Sequence, residues 1–190
     1  MLMTLRLDLP DWLAGWTPPA PLPHLADRME VVLDLAMRNV AEQTGGPFAA
    51  AVFERDSGAL VSVGVNRVLA NASSIAHAEV LALGLADAAL GTHDLGAQEL
   101  PAMQLVSSSQ MCAMCLGAVA WSGVVEVAWA TTAGDVGAIV GFDEGPTPPD
   151  YSAQLAHRGI TVRAGLMRDE GLAVLRAYVA GGGVVYNPRR

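Results

Sequence analysis

"MQLVSSSQMCAMCLGAVAWSGVVEVAWA", residues 103–130, sets two apolar runs either side of a segment of different grain. MQLVSSS (103–109) reads as a strand running straight into Cys112. Residues 113–121 read as a helix that ends near Gly123, and VVEVAWA (124–130) as another strand. Strand, helix and strand within one short stretch place the chain among α/β proteins.

Working outward, residues 77–90 are Ala- and Leu-rich on nearly all sides and predict a buried helix. A loop over 66–75 precedes it. FAAAVFE (48–54) and LVSVGV (60–65) flank Arg55-Asp56-Ser57-Gly58-Ala59, the signal of a hairpin. Leu25, Met29, Val32, Ala36 and Val40 recur every three or four residues, a helix with one buried stripe over 25–41, and Thr44-Gly45-Gly46-Pro47 ends it. On the other side, GFDEGPTPPDY (141–151) is a turn-rich loop and GITVRAG (159–165) a fifth strand. Residues 168–180 form a last helix, closed by Gly181-Gly182-Gly183. Residues 1–23, with Pro10, Pro18, Pro19, Pro21 and Pro23, predict an extended arm over the body; 24–190 form a single domain. The order of elements points to a sheet with helices on both faces.

Composition excludes several classes. At 190 residues and 52% hydrophobic the chain supports one substantial core. No window is long and apolar enough to span a membrane, and MLMTLRLDLPDWLAGW lacks the basic-then-apolar order of a secretory signal. The net charge is −8, and all eleven basic residues are arginine. A nucleic-acid binder needs a concentrated positive footprint, which this chain lacks beyond Arg189-Arg190. Small molecules are the more natural partners. Two cysteines three apart, in a chain read as cytoplasmic, favour a metal or redox role over a disulfide framework.

SIAHAEVLAL (74–83) puts His77 and Glu79 at the start of the buried helix. Alone, such a pair is usually a polar cap. A lone C-x-x-C fits a redox pair or half of a structural zinc site. Together, His77, Cys112 and Cys115 offer three ligands, which leaves a fourth tetrahedral position for water, the arrangement of a catalytic Zn2+. Each lies at a helix start, where the dipole favours thiolates. Glu79, two residues from His77, is placed to move that water's proton. H-x-E followed by C-x-x-C, with 34 residues between His77 and Cys112, is the pattern of zinc deaminases.

At these residues the sequence resembles the cytidine deaminase-like superfamily, within it the guanine deaminase branch. GGPFAAAVF (45–53), GVNRV (64–68), AHAEVLAL (76–83), MCAMCLGAVAWSG (111–123) and GFDEG (141–145) carry the likeness. The resemblance implies a three-layer α/β/α sandwich around a mixed five-stranded sheet, assembled as a homodimer, with C-terminal segments exchanged in some members. It implies zinc on His77, Cys112 and Cys115, Glu79 as proton shuttle, and Glu144 as a second acid that protonates the leaving amine. Phe48, Asn66, Ala78 and Trp121 would form the substrate pocket: Asn66 bonding the base, Phe48 stacking on it, Trp121 in the wall. The expected reaction converts guanine to xanthine and ammonia. Rivals are cytosine, adenine, an aminotriazine or cytidine as substrate, tRNA adenosine, and a non-catalytic zinc-stabilised binding module. The chain departs from the branch at Gln110-Met111, where the family has Glu-Pro; this removes a charge near the site and bears on the substrate.

Overall fold

The computed structural model describes residues 5–187. The first four residues of the expected arm and the last three of the tail lie outside them. The elements run α1 (Asp11–Ala14), α2 (Leu25–Ala41), β1 (Ala49–Glu54), β2 (Leu60–Val65), α3 (Ala78–Leu90), β3 (Met103–Ser109) and α4 (Ala113–Ser122). They continue with β4 (Glu126–Thr131), α5 (Ala133–Ile139), α6 (Tyr151–His157), β5 (Thr161–Ala164) and α7 (Arg168–Ala180).

The sheet order is β2-β1-β3-β4-β5. β1 pairs antiparallel with β2 and β3, while β3–β4 and β4–β5 are parallel, so the sheet is mixed. Alternation along the strands sorts the core into two layers. Ala50, Val52, Met103, Leu105, Val127 and Trp129 face α3 and α4. Ala49, Ala51, Phe53, Val106, Ala128 and Ala130 face α2 and α7. Every residue of β3 is buried, as a central strand covered on both faces requires.

The arm's Trp12, Leu13, Trp16 and Leu22 pack on the α2 side of the core. Buried Arg28 holds its end, donating to the Leu22 and Pro23 carbonyls and to Gln104 Oε1 at 2.7, 3.2 and 2.9 Å.

Three helices were not expected from the sequence, the first being the single-turn α1, Asp11–Ala14, within the arm read as extended, where Pro10 precedes the first helical residue. AGDVGAI (α5) carries two glycines that mask its periodicity, yet Thr132 and Asp135 close a capping box at its start. YSAQLAH (α6) follows directly on the proline-rich loop and buries a single residue, Leu155, too little to make a stripe. The fifth strand is shorter than expected, covering four residues.

Three sheet features position the site. β3 and β4 end side by side, and the chain leaving β3 turns at once into α4 with Cys112 as N-cap. His77 is the N-cap of α3. At Gly64 on β2, a Cβ would lie 2.2 Å from the Ala78 carbonyl oxygen and 2.7 Å from the Ala82 nitrogen; only glycine lets α3 approach this closely.

Candidate active site

Helix starts converge above the carboxyl ends of the parallel strands. Cys112 Sγ and Cys115 Sγ each lie 3.6 Å from His77 Nδ1. The three ligand atoms all fall within 4.8 Å of one another, the one such metal-ligand group among the described residues. Tetrahedral zinc, about 2.3 Å from sulfur and about 2.0–2.1 Å from nitrogen, separates the two by about 3.6 Å, so the donor set fits zinc in type and in spacing.

Glu79, on the first turn of α3, is 6% exposed. Its Oε2 lies 3.4 Å from Cys115 Sγ and its Oε1 3.3 Å from Ser107 Oγ. Burial pushes the Glu79 carboxyl above its usual range, and the Cys112 thiolate beside it pushes the same way. The cysteines share a proton unequally. A hydrogen bond from Cys115 is the main cause holding Cys112 down at about 4, helped by His77, while the same bond drives Cys115 upward. Burial is the largest single influence and opposes a charge on His77, but the Cys112 contact together with the nearby Glu79 and Glu144 carboxyls outweighs it and the imidazole is raised.

Glu144 reaches the group from the far side, because its backbone carbonyl accepts the Ala113 N–H at 2.9 Å and ties the 141–145 loop to the start of α4. Burial, with Cys112 and Glu79 nearby, raises its carboxyl to about 7.

A cavity of about 310 Å³ opens over these groups, large enough for a flat ring system. His77, Glu79, Cys112 and Glu144 line it, and Phe48, Asn66 and Gln110 form parts of its wall. Buried Asn39 sets two of those. Its Nδ2 donates to the Gly46 and Asn66 carbonyls at 2.8 and 3.1 Å, while the Asn66 N–H donates to the Phe48 carbonyl at 2.9 Å. A Cβ on Gly45 would lie 1.8 Å from the Asn66 oxygen, which explains the glycine in GGPF.

Two expected pocket residues fall elsewhere. Trp121 is 84% exposed on the outer face of α4 and does not line the cavity, because its helical position turns it away from the sheet. Ala78 is fully buried against β2 and does not line it either.

Other residues were missed. Phe142 lines the cavity 5.8 Å from Phe48 by ring centroids. Tyr186 lines it too, edge-on to Phe142 at 5.5 Å, and its hydroxyl shares a hydrogen bond with the Asn66 side chain. Asn187 anchors this tail, accepting the Asp143 N–H at 2.8 Å and donating to the Gly141 carbonyl at 2.9 Å. The aromatic residue in GFDEG was the available signal for Phe142; nothing local marks Tyr186.

The Gln110-Met111 departure is absorbed structurally. Gln110 Oε1 accepts the Ala133 N–H at 3.2 Å and its own N–H donates to the Thr131 carbonyl, tying β3 to the start of α5. Met111 is 1% exposed and packs in the α3/α4 core.

The signature of the cytidine and deoxycytidylate deaminase zinc-binding region matches residues 24–131, more than half of the chain. The chain belongs to this zinc-binding deaminase family. The guanine deaminase of Bacillus subtilis (strain 168) is 36% identical over 110 residues, 58% of this chain and 65% of that protein's length. The solved guanine deaminase from Nitrosomonas europaea is 51% identical, with a TM-score of 0.90 over 95% of this chain and 98% of that one. A structure in complex with 2,6-diaminopurine, also 51% identical, superposes with a TM-score of 0.90 over 98% of both chains. The mixed five-stranded α/β architecture is therefore that of these deaminases, and zinc is the metal of the family's defining region. No described helix of this family member is long and apolar enough to cross a membrane.

Proposed function

We propose that the protein is a zinc-dependent hydrolytic deaminase of a free nucleobase, converting guanine and water to xanthine and ammonia. The observation that carries this reading is the buried Glu79 carboxylate beside the His77/Cys112/Cys115 group on one wall of a base-sized cavity. A purely structural zinc site has no use for such a carboxylate. The guanine deaminase relatives and the diaminopurine-bound neighbour support a purine carrying a 2-amino group.

His77, Cys112 and Cys115 would hold the metal, which when bound would supply the Lewis acidity that activates water. Glu79 takes a proton from the attacking water as the water oxygen bonds to C2 of the base, and delivers that proton to the adjacent ring nitrogen. Glu144, raised to about 7, is protonated often enough near neutrality to give a proton to the departing amine. The C2–N bond then breaks, ammonia leaves, and the proton of the C2 hydroxyl returns to Glu144 as the C2 carbonyl forms, so both carboxyl groups end as they began. Asn66 hydrogen-bonds the base while Phe48, Phe142 and Tyr186 enclose its faces.

The protein works as a cytoplasmic homodimer on a small molecule, without nucleic acid or membrane. Thiolate ligands call for a reducing compartment, and exposed Trp121, Met114 and Leu85 on α3 and α4 offer apolar area to a second copy. Ammonia release from guanine, cytosine, adenine, an aminotriazine, cytidine and a tRNA stem-loop tests the substrate. Guanine should dominate; turnover of cytosine or a nucleoside with guanine inert overturns the substrate and leaves the aminohydrolase standing.

A further inference from the structure

The geometry points to Ser107 as the residue that positions the Glu79 carboxylate for proton transfer, an inference that rests on the deaminase reading of the site. Along β3, Met103 and Leu105 face α3 and α4 and fill the core there. The alternation brings position 107 to the same face, where an apolar side chain would pack and a hydroxyl must find partners. Ser107 is 1% exposed. Its Oγ donates to Glu79 Oε1 at 3.3 Å and accepts the Ser109 N–H at 3.4 Å.

That backbone contact directs the single hydroxyl proton toward the carboxylate. The neighbouring serines are spoken for elsewhere: Ser108 Oγ accepts the Ala49 N–H at 3.1 Å, and Ser109 shares a 2.6 Å bond with Thr131. Ser109 lines the cavity, but Ser107 is the member of the triplet whose hydroxyl reaches Glu79, from behind the carboxylate. The two Glu79 oxygens are distinguished by these contacts, Oε1 toward the sheet and Oε2 toward Cys115 and the ligand group. Once Cys115 is a thiolate ligand it no longer donates, and the Ser107 hydroxyl remains as the side-chain bond that keeps the carboxylate turned. A carboxylate held this way enters the reaction with its orientation already set.

The test compares Ser107→Thr with Ser107→Val, two side chains of equal volume that differ in the hydroxyl, so that packing damage is common to both. On whichever base the wild type turns over, Ser107→Val should lose about 10- to 100-fold in kcat with KM within about twofold, and Ser107→Thr should restore most of it. Zinc content should be unchanged in both. In a Glu79→Gln background the Thr–Val difference should vanish, since the hydroxyl acts through the carboxylate. Crystal structures give a readout independent of turnover: Glu79 in one rotamer in Ser107→Thr, and in two or a displaced one in Ser107→Val. Equal kcat for the two variants, or an unmoved Glu79 in Ser107→Val, overturns the proposal. A wild type inert on every base overturns the functional reading instead, while the rotamer comparison still decides Ser107.

Discussion

Folding puts the Glu79 carboxyl where its charge is disfavoured, 6% exposed beside a thiolate, and holds it there with Ser107. Burying such a group costs folding free energy, whatever its proton does. Glu79→Gln keeps the shape and removes the base, so kcat should fall by about 10²–10⁴-fold with zinc and fold retained; turnover within a few-fold of wild type would refute the shuttle. Glu144 has a different signature. Its folded value of about 7 stands above the ordinary 4.5, so it binds its proton more tightly folded than unfolded. The resulting stability is fully present below about 4.5 and lost as pH rises through 7. Glu144→Gln should therefore flatten the decline in Tm of chelator-treated protein between about pH 5 and pH 8, measured by calorimetry. At this scale His77, Glu79, Cys112 and Cys115 were legible because local spacing carries them. Phe142 had only its ring within GFDEG as a signal, Tyr186 owes its place to a chain reversal that no local pattern encodes, and Trp121 was misplaced because a motif gives a residue's order along a helix without its outward turn.

Among the elements, periodicity served wherever a face is buried. α2 and α7 present one stripe each, and the strands of the central sheet are short apolar runs between turns. α5 escaped notice, yet side chains secure its start. Thr132 Oγ1 accepts the Asp135 N–H at 3.1 Å, Asp135 Oδ2 accepts the Thr132 N–H at 2.9 Å, and Arg168 Nε at the start of α7 donates to the same carboxylate at 3.0 Å. The Arg168 hydrogen bond is the main cause that lowers Asp135 to about 2. Its contribution is present above about 3.8 and is lost as pH falls toward 2. Asp135→Asn should cost about 1 kcal/mol near neutrality, the usual worth of a cap, with the difference from wild type shrinking in acid. Denaturant melts at two pH values check this, and a pH-independent difference would argue against it.

For the whole molecule, the charge of −8 shapes what can approach. A neutral base feels little of that field, whereas a polyanion is repelled at every distance within the screening length. The kcat/KM for guanine should accordingly change by less than about twofold between about 50 and 300 mM salt, and any residual activity on a tRNA stem-loop should rise as salt screens the repulsion. A steep fall with salt on the nucleic acid would mark a cationic binding surface that the composition argues against. The contact at Gly64 carries a separate consequence. Because β2 and α3 meet there backbone to backbone, the height of His77 above the sheet is a property of the polypeptide and not of whatever ion it grips. The socket is cut before it is filled. Cobalt(II), which accepts the same nitrogen and sulfur donors, should therefore load after gentle stripping without refolding, turning a colourless enzyme into one whose visible spectrum reports each ligand that enters the fourth position.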